Sequence, residues 1–357
     1  ILIIMIKVGT DFSGIGSPEA ALKRLGIPHE NIFACDIDKY AKASFLQNNS
    51  PNKFYDDITT RDYSEVPQLD LYVAGFPCQS FSMAGKRGGF DDVRGTLFFN
   101  VAEFIKVNQP KCFILENVRG LLSHEKGKTF QTITDVLHNG GGTLNGQMGF
   151  DSVDYGLGYH IYYKVLNTKN YGIPQNRERV FIIGFKDWKE FRFPKEIPLE
   201  LRLKDLLEES VNEKYYLSDK MKNFVLTTNF REAKPIDVNK ISPCIKVGGD
   251  VPCFEEDQVV VHNLHPRCGD PKKGGTGRLS RKDGIAYCLD AANSIAVERE
   301  QKIRRLTPLE TWRLQGFTDE EFWKAQKVNS DTQLYKQAGN TITVNVMVEL
   351  LKKIYLK

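Results

Sequence analysis

The chain has 357 residues, of which 41% are hydrophobic and 26% are charged, and its net charge is +4. This composition is ordinary for a globular protein and excludes wholesale disorder. The charge is only mildly basic and gives little support by itself for a nucleic-acid partner. The length favours two domains, or one domain with a large insertion.

The cysteines and the first residues indicate the compartment. Seven cysteines are scattered singly, with no Cys-x-x-Cys pair, which argues against a disulfide framework and favours a reducing, cytoplasmic location. The apolar opening at residues 1–6 is too short to cross a membrane and lacks the features of a signal peptide. We expect no membrane association and a first buried strand at this point.

Short apolar runs alternate with helix-like segments in the first half of the chain. The expected elements are strands at Ile3–Thr10, Asn31–Cys35, Leu69–Ala74, Lys111–Leu115 and Arg179–Gly184, and helices at Pro18–Leu25, Lys39–Asn48 and Thr96–Asn108. This order predicts an α/β fold with a doubly wound, mostly parallel sheet and helices on both faces. Ligands bind such sheets at the carboxyl ends of strands. Asp36, Cys78 and Glu116 all fall just past expected strand ends.

The sequence pattern changes between about residue 190 and residue 303, where glycines and turn residues replace a regular apolar periodicity. Six basic residues lie within sixteen positions of this stretch: Arg267, Lys272, Lys273, Arg278, Arg281 and Lys282. Helices are expected again at Leu306–Leu314 and Val344–Tyr355. The irregular stretch is the natural candidate for a second, smaller domain.

A glycine-containing loop precedes the first helix. Residues Phe12–Gly16 lie between a strand and a helix, where glycines let a ligand approach the backbone. Asp36 follows about twenty residues later, where an acidic residue can bind ribose hydroxyls. These residues alone do not separate NAD from S-adenosylmethionine, since both carry adenosine.

Several ordered blocks of the chain are informative together. Cys78 taken alone would more often be a small buried side chain, but its neighbours favour a nucleophile. The blocks are Asp11–Gly16, Asp36 with Asp38–Tyr40, Asp57–Ile58, Gly75–Ser82, Glu116–Val118, Gln175–Val180, Arg304–Phe317 and Gln337–Thr341. They cover nearly the whole chain and resemble, in residue type and order, those of the cytosine-C5 DNA methyltransferase family, of the bacterial or phage, restriction-modification type. The resemblance implies the Rossmann-like fold of S-adenosylmethionine-dependent methyltransferases.

The resemblance implies a catalytic role for four residues. Cys78 would add to C6 of a cytosine rotated out of the duplex, because C5 of cytosine does not accept a methyl group unaided. Glu116 would hold or protonate N3, and Arg179 would donate to O2. Arg177 would support the site. The base that removes the C5 proton is not identified.

The resemblance also decides the cofactor in favour of S-adenosyl-L-methionine. The residues implied around it are Phe12, Gly14, Ile15, Gly16, Asp36, Ile37, Asp57, Ile58, Pro77, Leu97 and Asn340. The chain departs from the family pattern where Asp36 replaces glutamate and Ile37 replaces an aromatic residue. These departures put the strength of cofactor binding in doubt, not the class of enzyme.

Double-stranded DNA is the expected partner. The expected contacts are Gln79, Ser82, Lys86, Arg87 and Arg94 near the nucleophile, and Arg267, Lys272, Lys273 and Arg278 in the recognition region. Because Asn340 belongs to the cofactor wall, the catalytic domain is expected to be discontinuous, at residues 1–189 plus 331–357, with a target-recognition domain at 190–330. We expect a monomer, and a cognate restriction endonuclease in the same system without direct contact is left open.

Two other functions are compatible with this architecture. One is a tRNA cytosine-5 methyltransferase, which is disfavoured because such relatives usually carry Pro-Pro-Cys and Cys-Phe-Thr motifs that this chain lacks. The other is a catalytically silent DNA-binding relative, although the candidate catalytic residues are all present. A zinc site formed by His262, His265 and Cys268 with Cys244 and Cys253 matches no strong template, so no metal is expected.

Overall fold

The computed structural model describes residues 5–77, 97–139, 143–144, 147–148, 156–220, 260–263, 280–289, 295–299 and 302–356. Its larger sheet contains β1 (Ile6–Asp11), β2 (His29–Cys35), β3 (Lys53–Tyr55), β4 (Leu71–Ala74), β5 (Cys112–Val118), β6 (Thr143–Leu144), β7 (Gln147–Met148), β8 (His160–Asn167) and β9 (Glu178–Phe185). The strand order is β3-β2-β1-β4-β5-β9-β8-β6-β7. Strands β3, β2, β1, β4 and β5 are parallel, and β9 is antiparallel to both of its neighbours.

Helices cover both faces of this sheet, as the sequence predicts. They are α1 (Ser17–Arg24), α2 (Lys39–Asn48), α3 (Leu97–Asn108) and α4 (Lys128–His138), followed later by α5 (Pro308–Arg313), α6 (Asp319–Gln326), α7 (Asp331–Asn340) and α8 (Val344–Tyr355). Side chains of successive strand residues point to opposite faces. In β4, Leu71 and Val73 therefore join the core under α1 and α8, whereas Tyr72 and Ala74 join the core under α3 and α4. The doubly wound α/β fold is confirmed.

Local sequence signals explain several helix ends. Asp38 accepts hydrogen bonds from the backbone of Tyr40 and Ala41 and so begins α2. Thr307 and Glu310 form a capping box at the start of α5, and Thr318 with Glu321 forms another at α6.

The second sheet is small and antiparallel. It contains β10 (Val260–Asn263), β11 (Ser280–Arg281), β12 (Ile295–Arg299) and β13 (Lys302–Arg305), in the order β11-β10-β12-β13. These strands lie in the range assigned from sequence to target recognition. Helices α5 and α6 fall in the same range, yet α6 packs against α2 of the larger domain. The division into two domains stays a prediction.

The polypeptide returns to its first helix near residue 340. Helix α8 packs on α1, and the Ser17 hydroxyl donates to the Ile342 carbonyl at 2.6 Å and lies 2.7 Å from the Thr341 hydroxyl. The residues around Asn340 therefore form one wall of the region beyond β1. Within the described part of the chain, no helix has the length and apolar character needed to cross a membrane.

One expectation about the sheet is wrong. Glu116 does not follow a strand end but lies inside β5, because β5 continues past the last residue of its neighbour β4. Leu115 is the last residue paired with β4, at Ala74. Glu116 and the residues after it remain paired with β9, with Glu116 opposite Phe181. The backbone that carries this carboxylate is consequently held by regular sheet hydrogen bonds to β9.

Candidate active site

A concave pocket lies at the carboxyl ends of β1, β4 and β5. It is lined by Thr10, Asp11, Phe12, Ser13, Gly14, Ser17, Pro18, Val73, Gly75, Glu116, Asn340, Thr341 and Ile342. A larger groove elsewhere, lined by Lys7, Glu30, Asn52 and neighbouring residues, lies on β1–β3, and Glu116, Arg177 and Arg179 do not line it. The first pocket therefore joins the glycine loop, Glu116 and the segment around Asn340 in one space.

The glycine loop adopts left-handed backbone conformations. Phe12, Gly14 and Gly16 have φ angles of 53°, 55° and 87°. A Cβ atom on Gly16 would lie 2.4 Å from Nδ2 of Asn49, so this position requires glycine. The Ser13 hydroxyl donates to the Thr10 carbonyl at 2.9 Å and accepts from the Cys35 amide at 2.9 Å, which fixes the loop against β2.

Asp36 and Ile37 follow β2 beside this loop. The Asp36 carboxylate accepts hydrogen bonds from the backbone amides of Gly14 and Asp38, both at 2.8 Å. Burial raises the pKa of Asp36, and the two backbone hydrogen bonds oppose that rise. Ile37 is 81% exposed, which leaves a large apolar surface at the edge of the site.

The other residues expected around a cofactor differ in their burial and in their hydrogen bonds. Asp57 accepts hydrogen bonds from the amide and hydroxyl of Thr59 and begins a short 3-10 helix at Ile58–Thr60. Pro77 and Asn340 are exposed, and Leu97 is partly buried. Ile15 and Ile58 are buried in the two cores, so only their backbone could face a ligand. Their assigned role stays a prediction.

Glu116 and Arg179 meet across β5 and β9. Arg179 Nε lies 3.1 Å from Glu116 Oε1, and the two side chains are 18% and 12% exposed. Burial raises the pKa of Glu116, while the charges of Arg179 and Arg177 lower it. The carboxyl group is thereby favoured in its protonated form relative to an ordinary glutamic acid, with a guanidinium beside it.

Arg177 has a different position from Arg179. It is 3% exposed and donates to the carbonyls of Leu289, Gly339 and Thr341 at 3.1, 3.0 and 2.8 Å. Burial and the nearby Arg179 lower its pKa. Arg177 thus ties its own segment to those at Leu289 and at residues 339–341. Its supporting role in catalysis stays a prediction.

The segment leading to Cys78 is held by Asn117. Its side-chain amide donates to the Phe76 carbonyl at 2.8 Å, and Asn117 is buried. Gly75 borders the pocket, and a Cβ atom there would lie 3.4 Å from Glu116 Oε2. Asn117 lies in the Glu116–Val118 block, and that block is the signal in the sequence that could have indicated its role. Several residues expected to act in catalysis or DNA binding lie outside the part of the chain that the structure describes. They are Cys78, Gln79, Ser82, Lys86, Arg87, Arg94, Arg267, Lys272, Lys273 and Arg278.

A buried ion pair beneath the glycine loop has no counterpart in the sequence expectations. Arg61 donates to both carboxylate oxygens of Asp11 at 2.8 Å, and both side chains are fully buried. Tyr72 donates to the same carboxylate at 2.6 Å, and the guanidinium lies 4.2 Å from the ring centre of Phe33. Asp11 precedes Phe12, and Arg61 follows the short helix after Asp57. The pair therefore ties the segment after Asp57 to the start of the glycine loop.

A second buried carboxylate lies on α1. Thr10 donates to Glu19 Oε1 at 3.2 Å, and Oε2 has no hydrogen-bond partner among the described residues. Burial raises the pKa of Glu19 to about 7, against smaller opposing effects of hydrogen bonds and Lys23. No role for Glu19 followed from the sequence.

Metal ligands were not expected. Within the described ranges, no group of three or more His, Cys, Asp or Glu side chains could hold a metal ion. His265, Cys244, Cys253 and Cys268 lie outside those ranges, so the expectation against zinc stays a prediction.

Comparison with known proteins identifies the family. The profile of the C-5 cytosine-specific DNA methylase family matches residues 10–356. The chain is 32% identical to the orphan methyltransferase M.SPRI of Bacillus phage SPR, across 98% of this chain and 97% of that protein. It is 36% identical to the type II methyltransferase M.NgoBI of Neisseria gonorrhoeae, across 98% and 93% of the two chains. The chain belongs to the cytosine-C5 DNA methyltransferase family, and DNA is its substrate class.

Solved structures give the same fold. The crystal structure of the Dnmt2 methyltransferase of S. pombe superimposes with a TM-score of 0.65 at 17% identity, over 97% of each chain. A putative DNA modification methyltransferase encoded within an E. coli prophage superimposes with a TM-score of 0.54 at 19% identity. At these identities the likeness concerns the fold alone. The family resemblance seen in the sequence is confirmed.

Proposed function

We propose that this enzyme methylates C5 of a target cytosine within a short DNA sequence, with Cys78 as its nucleophile and S-adenosyl-L-methionine as its methyl donor. The observation that carries the proposal is the shared pocket. The Glu116 carboxyl, paired with Arg179, opens into the same space as the left-handed glycine loop and Asn340. A ligand bound at the loop would therefore lie next to the group proposed to act on the base.

The residues around the glycine loop fit S-adenosyl-L-methionine. Asp36 is oriented by two backbone amides and is placed to accept ribose hydroxyls, and the exposed face of Ile37 suits a planar adenine ring. Phe12, Asp57, Leu97, Pro77 and Asn340 would complete the site. When bound, this cofactor supplies an electrophilic methyl group at C5 of the target base.

Cys78 would attack C6 of the cytosine. Its sulfur electron pair forms the S–C6 bond, and the electrons of the C5–C6 double bond move into the ring and make C5 nucleophilic. Charge would otherwise build up at N3, where the neutral Glu116 carboxyl can donate a proton. Burial raises the pKa of Glu116 and so favours the protonated form that this role needs.

Arg179 would bind the O2 carbonyl of the same base. Its guanidinium lies beside Glu116, which matches the neighbouring positions of O2 and N3 on the pyrimidine ring. A fixed cation at O2 stabilises electron density that moves into the ring after attack. C5 would then take the methyl group, with the demethylated cofactor as the leaving group, and N3 would return its proton to Glu116. Loss of the C5 proton to a base would re-form the C5–C6 double bond as the S–C6 bond breaks and Cys78 leaves as a thiolate.

The remaining parts of the proposal concern DNA. The base would be rotated out of the duplex to reach this pocket, and the region at 190–303 would read the surrounding sequence. Basic residues near Cys78 and at 267–278 would meet phosphates, so binding should weaken as salt rises. We propose a monomer with one site per chain, acting in a restriction-modification system or as an orphan enzyme.

The first test is sequencing of 5-methylcytosine at single-base resolution. Unmethylated DNA is incubated with the protein and S-adenosyl-L-methionine, beside Cys78→Ala and the matched control Cys112→Ala. Cys112 is buried at the opposite end of β5 from Glu116. We expect methylation at one short motif, lost in Cys78→Ala and kept in Cys112→Ala. Methylation by Cys78→Ala would refute the nucleophile.

A second test asks for the covalent intermediate. DNA containing 5-fluorocytosine should form a stable adduct with the parent enzyme, because fluorine cannot leave C5 as a proton does. Arg179→Ala should methylate about a hundredfold more slowly, the usual cost of losing one fixed hydrogen-bond donor in the transition state. A transfer RNA substrate serves as a further arm. Methylation of that RNA but of no DNA would overturn the proposal.

A further inference from the structure

The recognition region reaches the two arginines of the active site through one short segment. The backbone amide of Ala286 donates to the Pro174 carbonyl at 2.6 Å. The amide of Leu289 donates to Gln175 Oε1 at 3.1 Å. Residues 286–289 are therefore bound directly to the loop that precedes Arg177 and Arg179.

The thiol of Cys288 lies between those arginines. Its sulfur is 3.3 Å from Nη1 of Arg177 and 3.7 Å from Nη2 of Arg179. The thiol itself donates to the Leu289 carbonyl at 3.5 Å, an oxygen that also accepts from Arg177 Nη1, so its proton is aimed at an acceptor and not at a guanidinium nitrogen. The sulfur lone pairs are thus left to accept from both cations, and charged donors strengthen what is otherwise a weak acceptor.

These contacts complete the surroundings of Arg179. Its Nε faces Glu116 at 3.1 Å, its Nη1 donates to the Glu178 carbonyl at 2.8 Å, and its Nη2 reaches Cys288. A planar guanidinium held through all three nitrogens has a fixed orientation. Without the sulfur, the group could rotate about the remaining contacts and lose its alignment with the carboxyl.

We infer that Cys288 is a positioning residue, which orients Arg179 toward Glu116 and the target base and so links the recognition region to the chemistry. The inference rests on the proposed role of Arg179. It predicts a loss in the rate of methyl transfer without a loss in cofactor binding, because the thiol does not line the cofactor pocket.

The test compares three cysteine variants in single-turnover methylation. Cys288→Ala should lower the rate constant about tenfold, the scale of one hydrogen bond to a charged group, with the dissociation constant for S-adenosyl-L-methionine within twofold of the parent's. Cys288→Ser keeps an acceptor and should recover most of the rate. Cys112→Ala removes a buried thiol elsewhere in the sheet and should leave the rate unchanged.

A double-mutant cycle then identifies the partner. In an Arg179→Ala background, Cys288→Ala should have no further effect, because the group it positions is gone. Fully additive losses would overturn the inference, as would a Cys288→Ala rate within twofold of the parent's or a serine variant no better than alanine. If the alanine variant does not fold, Cys288→Val fills the space without an acceptor and should show the same tenfold loss.

The same experiment separates the two proposals. A parent enzyme that methylates DNA while Cys288→Ala is equally active overturns only the positioning role. A folded, cofactor-binding parent that methylates no cytosine overturns the proposed function, and the positioning role with it.

Discussion

Glu19 should make the stability of this protein depend on pH near neutrality. Its pKa is 4.5 in ordinary surroundings and about 7 in the fold, where burial disfavours the charged form. A carboxyl with a raised folded pKa contributes stability that is complete below pH 4.5 and is lost as pH rises through the folded value. The difference corresponds to about 3 kcal/mol in the free energy of unfolding, at about 1.4 kcal/mol for each pH unit.

The perturbation is Glu19→Gln, which keeps the shape and the acceptor for Thr10 but cannot ionise. The free energies of unfolding of the variant and the parent are measured by urea denaturation at intervals from pH 4.5 to 8.5. The free energy of unfolding of the variant minus that of the parent should increase by up to about 3 kcal/mol between pH 4.5 and about 7. Above that pH the difference should stay constant. Glu200→Gln, at an exposed site, should show no such trend. A difference for Glu19→Gln that does not change with pH would refute the assignment of a buried, unpaired carboxyl.

Three further substitutions test the pocket and its support. Arg61→Met should lower the free energy of unfolding by about 3–5 kcal/mol in urea denaturation, because Asp11 is left buried without its cation. Adding Asp11→Asn should recover part of the loss. An unchanged stability of the single variant would contradict the pairing. Gly16→Ala should lower the free energy of unfolding by at least about 1–2 kcal/mol, because alanine is strained in a left-handed backbone, and it should weaken cofactor binding. If Asn49→Ala restores the stability, the 2.4 Å contact with Asn49 is responsible for the loss. Asp36→Ala should raise the cofactor dissociation constant about tenfold in titration calorimetry, the scale of one charge-assisted hydrogen bond, whereas a change below twofold would exclude it from the ribose site.

The strongly periodic parts of the fold could be predicted from sequence. The helices at Lys39–Asn48 and Val344–Tyr355 begin and end where expected. Asp38 caps the first of them, and the second carries a regular row of buried apolar residues. Helix α7 was missed because its buried face is made of Leu334 with Gln337, Ala338 and Gly339. Gln337 bonds to Ser44 across the interface, so the packing is partly polar and leaves little hydrophobic period to detect.

The candidate site was predictable where motifs name residues and unpredictable where partners come from far along the chain. Glu116 and Arg179 are 63 positions apart, yet each belongs to one of the blocks that resemble the family. Arg179 Nε lies 3.1 Å from Glu116 Oε1. Arg61 lies in no motif, and only the fold reveals its partner Asp11. Cys288 likewise gave no signal, because a lone cysteine in an irregular stretch does not indicate which cations it contacts.

The contact between Ser17 and Thr341 has a consequence for how the enzyme is made. The two residues are 324 positions apart, so a ribosome must add nearly the whole polypeptide after the glycine loop before the opposite wall of the pocket exists. At roughly 5–20 residues per second, that interval is on the order of tens of seconds. The nascent chain can form β1, α1 and β2 early, but the pocket still lacks its opposite wall at that stage. The proposed cofactor site is therefore complete only after Thr341 has been added and has docked on α1.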